Sequence, residues 1–298
     1  MRLVKGHGTQ NDFLVLPDLD GEVELTPAMV RALCDRRAGV GADGVLRVVR
    51  SENDPDSARY APDAPFFMDY RNADGSVAEM CGNGVRVFVR YLQRGSLVEQ
   101  EAAVATRGGI RCARAGTDGH VAVQMGSPRF LADRPIATAA PHTPLVGTAL
   151  EIPNPHVVVA LDSLDELAAL DLTRAPVVEP ALPHGQNVEF VVRVASRHLR
   201  LRVHERGVGE TRSCGTGICA AAVAAATADG VGADGVPWRV DVPGGTCTVR
   251  WDDAGVELTG PAVLVGDVEV DDAWLAAAAG AAEIGGTAAP ARATMERR

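Results

Sequence analysis

The sequence predicts an α+β fold of two similar halves with a functional site between them. Three observations predict it. First, Cys-Gly-x-Gly occurs twice, at 81–84 and 214–217. Each copy follows a strand-like segment and a polar loop and precedes an apolar run of helical length. Second, the copies stand 133 residues apart (214 − 81), near half of the folded length. Third, the rest of the chain is mostly short apolar segments broken by Gly, Pro, Asn and Asp, a pattern of strands and turns. At 298 residues the chain can bury one large core or two medium ones without covalent staples.

The elements follow in order. Leu3 to Lys5 reads as a strand, Gly6 to Asp12 as a loop, and Phe13 to Leu16 as a strand. Thr26-Pro27 is an N-cap and N1 pair for a helix through Cys34. The glycine-rich Gly39 to Gly44 loop leads into a strand from Val45 to Val49. Ser51 to Pro65, polar and rich in Pro, reads as an exposed loop. Phe66 to Tyr70 is a strand, Asn72-Ala-Asp-Gly75 a turn, and Val85 to Tyr91 a helix. Val121 to Met125 alternates as a strand does. Ser127 to Thr143 is a connection between halves. Strands are then expected near Val157, from Val188 to Val194 and from Leu199 to His204. A loop from Glu205 to Ser213 precedes the second helix, and three short strands complete the half: Trp238 to Val242, Thr246 to Trp251 and Val256 to Thr259. The Ala/Gly/Pro-rich tail, 277–298, is expected to be disordered.

Composition removes several classes of function. The net charge is −10 and no Lys/Arg run is present, which argues against nucleic acid and anionic membrane as partners. No stretch approaches the roughly 18 apolar residues of a membrane span. The N-terminus lacks the apolar core of a secretory signal, and six cysteines in this length are no disulfide scaffold. A cytoplasmic, reducing location is expected. Lys5 is the only lysine, so Schiff-base chemistry, pyridoxal phosphate included, would have to use it. The seven histidines show no metal-ligand spacing; neither metal nor cofactor is expected.

A cysteine just before a helix meets free N–H groups and the positive end of the dipole, which favour a thiolate. Glycines after it allow close backbone approach, and the same helix end binds carboxylates. Two such copies on opposed halves place two thiols about one anion. One thiolate can remove a proton from a carbon while the opposite thiol donates to the other face, and the carbon inverts.

The residues at issue are Gly8-Thr-Gln-Asn-Asp-Phe13, Gly39-x-Gly-x-Asp43, Asn72-Ala-Asp-Gly-Ser76, Met80-Cys-Gly-Asn-Gly84, Asn154-Pro-His156, Asn187-Val188 and Glu205-Arg-Gly-x-Gly-Glu-Thr-x-x-Cys-Gly-Thr-Gly217. With these, residues 1 to about 270 closely resemble the diaminopimelate epimerase family. Proline and hydroxyproline racemases of the same superfamily carry His after the first Cys-Gly, where this chain has Asn83. The resemblance implies two pseudo-symmetric lobes, each a small strand-rich barrel around a central helix, with the active site in the cleft between them. It implies an N-terminal lobe of 1–126 to which 262–274 return, and a C-terminal lobe of 127–261. It implies a homodimer acting on LL- and meso-2,6-diaminopimelate, on the route to lysine and peptidoglycan.

Residue by residue, Cys81 and Cys214 match the catalytic thiols, Cys81 acting on the LL isomer and Cys214 on the meso. The N–H groups of Gly82, Asn83, Gly215 and Thr216 match a cradle for the reacting carboxylate. Asn72, Asn154, Asn187 and Arg206 match the readers of the distal amino-acid end, and Asn11 a further substrate contact. His156 and Glu205 match supporting acid–base groups, Glu205 also touching substrate. Two positions depart from the family: Gly44 stands where Gln is common, and Gln10 where Gly is common. Two other readings are a superfamily racemase for a proline-like amino acid and a non-catalytic amino-acid-binding paralogue. The Asn set and Arg206 argue against the first, and retention of both cysteines against the second.

Overall fold

A computed structural model of the chain describes residues 1–285 except Asp133 and His142, with the backbone alone given for 281–285. Among the described residues, five α-helices accompany many short strands: α1 (Pro27–Cys34), α2 (Gly82–Arg94), α3 (Leu164–Ala169), α4 (Gly215–Ala228) and α5 (Asp272–Gly285). The fold is mixed α+β. Two of the helices are central. In α2 nearly every residue from Gly82 to Val89 is buried, and in α4 the burial runs from Gly215 to Ala224. A helix buried on all sides needs cover all round, and strands supply it. Helix α2 packs on the strands Arg2–Gly8, Gly109–Ala115 and His120–Gly126, while α4 packs on Leu145–Ile152, Asn154–Leu161, Asn187–Ala195 and Gly245–Asp252. The alanines of α4 let these strands close in.

The strands form one hydrogen-bonded network. The joint between the two helix-centred parts is the antiparallel pairing of Gly255–Pro261 with His120–Gly126. Strand Val263–Glu269 then pairs antiparallel with Arg2–Gly8, and α5 packs against α1. Residues 277–285, assigned to the tail on composition, continue α5; the rest of that tail lies outside the described residues.

Three segments read as loops carry more structure. Gly6–Asp12 is a hairpin: Gly8 pairs with Asn11, and the two turn residues, Thr9 and Gln10, both have positive φ, 50° and 64°. That is the backbone a two-residue hairpin demands, and it favours Asn or Gly. It explains why Gly is common at the position Gln10 fills. Glu205–Ser213 contains the strand Gly209–Thr211, paired with Val203 to Glu205. Ser127–Thr143 contains the short strands Arg129–Phe130 and Ile136–Thr138. Ser51–Pro65 is not simply exposed either. Ser51, Ser57 and Ala64 are fully buried, and Asp54 joins Asp18 and Asp69 around the buried Arg47 guanidinium.

Candidate active site

The two Cys-Gly-x-Gly copies begin the two central helices. Cys81 is the N-cap of α2 and Cys214 the N-cap of α4, both in extended backbone. The helix starts abut. The Asn83 amide donates to Ser213 O at 3.0 Å, and a Cβ added to Gly215 would lie 3.3 Å from Asn83 Oδ1. Both cysteines border one cavity of ≈ 270 Å³, together with Asn11, Gly82, Asn83, Asn154, Glu205, Arg206, Gly215 and Thr216. These are ten of the thirteen residues expected at the site. Glu79, Met80, Gly108, Pro153 and Ser213 complete the lining; of these only Met80 is a named motif residue.

The remaining three are elsewhere. Asn72 lies in the turn, its amide donating to Ser76 Oγ at 3.0 Å. Asn187 stands behind the wall: its Oδ1 accepts the Arg206 N–H at 2.9 Å, which fixes the backbone from which Arg206 projects. His156 is fully buried, Nδ1 against Glu189 Oε1 at 2.8 Å and Nε2 against Asn154 Oδ1 at 3.0 Å. Its two ring nitrogens are thus committed to Glu189 and Asn154, and it positions Asn154 from behind.

Each thiol has its own surroundings. Cys81 Sγ accepts the Gly84 N–H at 3.4 Å and donates to Asn11 Oδ1 at 3.6 Å. The Asn11 amide is itself held by Asp43 at 2.7 Å. Cys214 Sγ lies 3.4 Å from Thr216 Oγ1, and Glu205 lines the same cavity beside it. Thr211 donates its hydroxyl to Glu205 from the short hairpin. Burial pushes the Cys81 thiol up to about 11, against the pull of the Gly84 N–H. Burial and then the Glu205 and Glu189 charges push Cys214 well above the ordinary thiol range, and burial raises Glu205 too. The expectation that the helix ends alone would yield low-pKa thiolates is therefore corrected. Desolvation outweighs the dipole at both thiols.

Two buried ionic groups were not singled out in the sequence. Glu189, fully buried, sets Oε1 on His156 and leaves Oε2 without a partner. A Cβ at Gly217 would come within 2.5 Å of its Oε1, so the second glycine of this copy makes room for a carboxylate. Its signal was a Glu inside the apolar run Val188 to Val192, an unusual residue for a strand buried on both faces. Arg86, on α2, is also fully buried and donates to Asn83 Oδ1, Thr9 Oγ1 and Pro261 O. Gly44, the other departure, does not line the cavity. A Cβ there would stand 2.4 Å from Arg71 O and 2.7 Å from Tyr70 Cε2, so no larger residue fits this backbone. Lys5 is paired with Asp12 at 2.5 Å, away from the cavity.

No helix of the described residues is long and apolar enough to cross a membrane. The family model for diaminopimelate epimerase matches residues 3–131 and 148–265. A Streptomyces coelicolor protein named diaminopimelate epimerase is 51% identical over 281 residues, covering 91% of this chain and 96% of its own. One from Thermobifida fusca, with the same name, is 51% identical over 276 residues, 91% of this chain and 98% of its own. Among solved structures, a probable proline racemase from Agrobacterium radiobacter is similar with a TM-score of 0.65 at 17% identity, over 91% of this chain and 93% of its own. A hydroxyproline epimerase from Agrobacterium vitis gives 0.62 at 17%, over 93% and 98%. At such identity the likeness to these structures is one of fold.

Proposed function

The chain belongs to the diaminopimelate epimerase family, and we propose from this that it interconverts LL- and meso-2,6-diaminopimelate, as an isomerase of lysine and peptidoglycan-precursor synthesis. The observation that carries the reading of the site is that two N-cap cysteines, one from each central helix, border a common cavity. In the first step one thiolate takes the α-hydrogen of the bound amino acid. The electron pair left on carbon spreads into the α-carboxylate, which the N–H groups of Gly82, Asn83, Gly215 and Thr216 receive. Donors fixed where charge develops stabilise the transition state more than the ground state. In the second step the opposite thiol gives its proton to the other face, and the enzyme is left with thiol and thiolate exchanged. The first thiolate has to be formed at the moment of binding. Glu205, half-buried beside Cys214 with a raised pKa, opposes ionisation there, so the first proton leaves Cys81 for solvent as substrate enters. Arg206 and Asn154, at the same cavity, suit the carboxylate and ammonium of the distal end.

Asn72 and Asn187 keep a part in this reading as supports of the Asn72–Ser76 turn and of Arg206, and His156 as the support of Asn154. Assembly as a homodimer and a cytoplasmic location belong to it as well; the family resemblance and the unpaired state of all six cysteines support them. The test is incubation of the purified protein with LL-diaminopimelate, without pyridoxal phosphate, following the LL:meso ratio. Approach to an equilibrium mixture is expected. Inversion of L-proline with none of diaminopimelate would overturn the substrate, and inversion of neither the activity.

A further inference from the structure

The two thiols sit against opposite charge. Behind the start of α2 lies Arg86, fully buried. A guanidinium keeps its charge in proteins, and none of its acceptors is a carboxylate: they are Asn83 Oδ1, Thr9 Oγ1, Pro261 O and, at 3.5 Å, Cys247 Sγ. Its Nε has no partner. A buried cation without a counter-ion is costly, yet the backbone is cut to admit this one. At Gly260 a Cβ would stand 2.0 Å from Arg86 Nη1, and at Gly8 3.2 Å from Nη2. Asn83, which Arg86 holds, is two residues from Cys81 and borders the cavity. Behind the start of α4 stands the reverse charge. Glu189, fully buried, has its carboxylate against the first turn and Oε2 unpaired. Glu205 lines the cavity with Cys214, and its charge acts on that thiol.

We propose that these groups make the two thiols unequal by construction. Arg86 favours the anion at Cys81, Glu189 with Glu205 favours the protonated form at Cys214, and the free enzyme rests with Cys81 the first to ionise and the proton kept on Cys214. Arg86 and Glu189 are positioning residues in this account, acting through charge rather than touching substrate. The inference rests on the reading of Cys81 and Cys214 as the acid–base pair. Its consequence is that, of the two singly ionised forms, the one with the thiolate on Cys81 predominates, and it is the form that serves the isomer presenting its α-hydrogen to Cys81. The opposite isomer waits for the minority state.

Cys81 faces Asn11, the Gly84 N–H, the Tyr70 phenol and, across the cavity, Glu205; Glu79 is exposed at the rim. Against these acidic neighbours Arg86 is the cation acting on Cys81. Cys214 faces the Thr216 hydroxyl, the Gly217 N–H, Glu205 and Glu189. His156 shares Glu189 Oε1, and a proton on it would offset Glu189 in part, leaving Glu205. Burial raises both thiols; among the charges, Arg86 opposes the rise at Cys81, while Glu205 and Glu189 add to it at Cys214.

The test is alkylation of the substrate-free protein with limiting iodoacetamide from about pH 7 up to the alkaline limit of the fold, with labelling of the Cys81 and Cys214 peptides read by mass spectrometry; a peptide that reaches no plateau in that range is the later to ionise. The pH midpoint, unlike the rate, separates ionisation from access. The Cys81 midpoint is expected to lie below that of Cys214. Arg86→Met should raise the Cys81 midpoint by about one pH unit, the scale of a lost neighbouring charge, and Arg86→Lys should restore most of it. Glu189→Gln should lower the Cys214 midpoint and leave that of Cys81. The proposal is overturned if Cys214 ionises first. It is equally overturned if folded Arg86→Met, or Glu189→Gln should the arginine variant not fold, leaves both midpoints unmoved. Labelling needs no turnover, so a protein inactive on diaminopimelate would end the proposed function and leave this result readable.

Discussion

A thiol at a helix N-cap in water is a better acid than a free cysteine, but Cys81 and Cys214 are not in water. Burial has the larger effect at both, so in the proposed reaction their task is set by exchange of a proton with substrate rather than by a standing thiolate. Cys81→Ala and Cys214→Ala should each abolish epimerisation while circular dichroism and the thermal midpoint stay close to those of the parent, since each change removes one atom. Near-normal turnover in either would remove the two-thiol mechanism. Arg206, exposed at the cavity, should behave differently. Arg206→Lys keeps the charge and loses the planar fork, and substrate binding should weaken by about 1.5–3 kcal/mol, seen as a raised KM. At this scale the motif residues were legible because each combines a reactive or amide side chain with a glycine-rich turn. Glu189 and Arg86 were not, because a single charged residue in an apolar run shows its partner only once the fold supplies it. Gly44 illustrates the reverse: what reads as a lost side-chain contact is a backbone position with no space for one.

The repeated Cys-Gly-x-Gly builds two similar helix starts that are not interchangeable. In the first copy a Cβ at Gly84 would meet Leu46 Cδ2 at 3.3 Å and Cys81 Cβ at 3.4 Å, contacts that a flexible side chain can ease; in the second, Gly217 is closed by Glu189 Oε1 at 2.5 Å. Gly84→Ala should therefore change stability by less than about 1 kcal/mol, the tight contact being offset by helix propensity. Gly217→Ala should cost about 1–3 kcal/mol, the range for overpacking, and slow turnover by displacing Glu189. Chemical denaturation of the two variants side by side checks this, and equal costs would contradict it. The helices and most strands were readable from caps and alternation: Thr26-Pro27 does begin α1. The hairpins at Thr9-Gln10 and Gly209–Thr211 were hidden for physical reasons. The first turn lacks the Asn or Gly that its positive φ angles favour, and the second strand is too short to show a period. The Thr9 turn is held from outside instead, by Ser213 Oγ at 2.5 Å and by Arg86.

Across the whole molecule, the same contacts that join the halves assemble the site. Thr9 bonds Ser213, Asn83 bonds Ser213 O, and a Cβ at Gly244 would fall 1.8 Å from Thr9 O. The spacing of the repeat could announce two halves, but not that their strands would join in one network through Gly255–Pro261 and His120–Gly126. Both thiols border one cavity, and in the proposed reaction inversion needs no movement of a base from face to face. Solvent isotope placement reads this most directly. The thiol that donates has exchanged its proton with solvent before substrate binds, while the thiol that abstracts holds the substrate's own hydrogen for a time. Started from LL-diaminopimelate in deuterated water, the earliest meso product should carry deuterium at the inverted carbon, with much less in recovered LL substrate, and the same asymmetry should hold when the reaction is started from meso. Early product that retained the original hydrogen would mean one base shuttling between faces, and would contradict the assignment of Cys81 and Cys214 to opposite sides of the carbon.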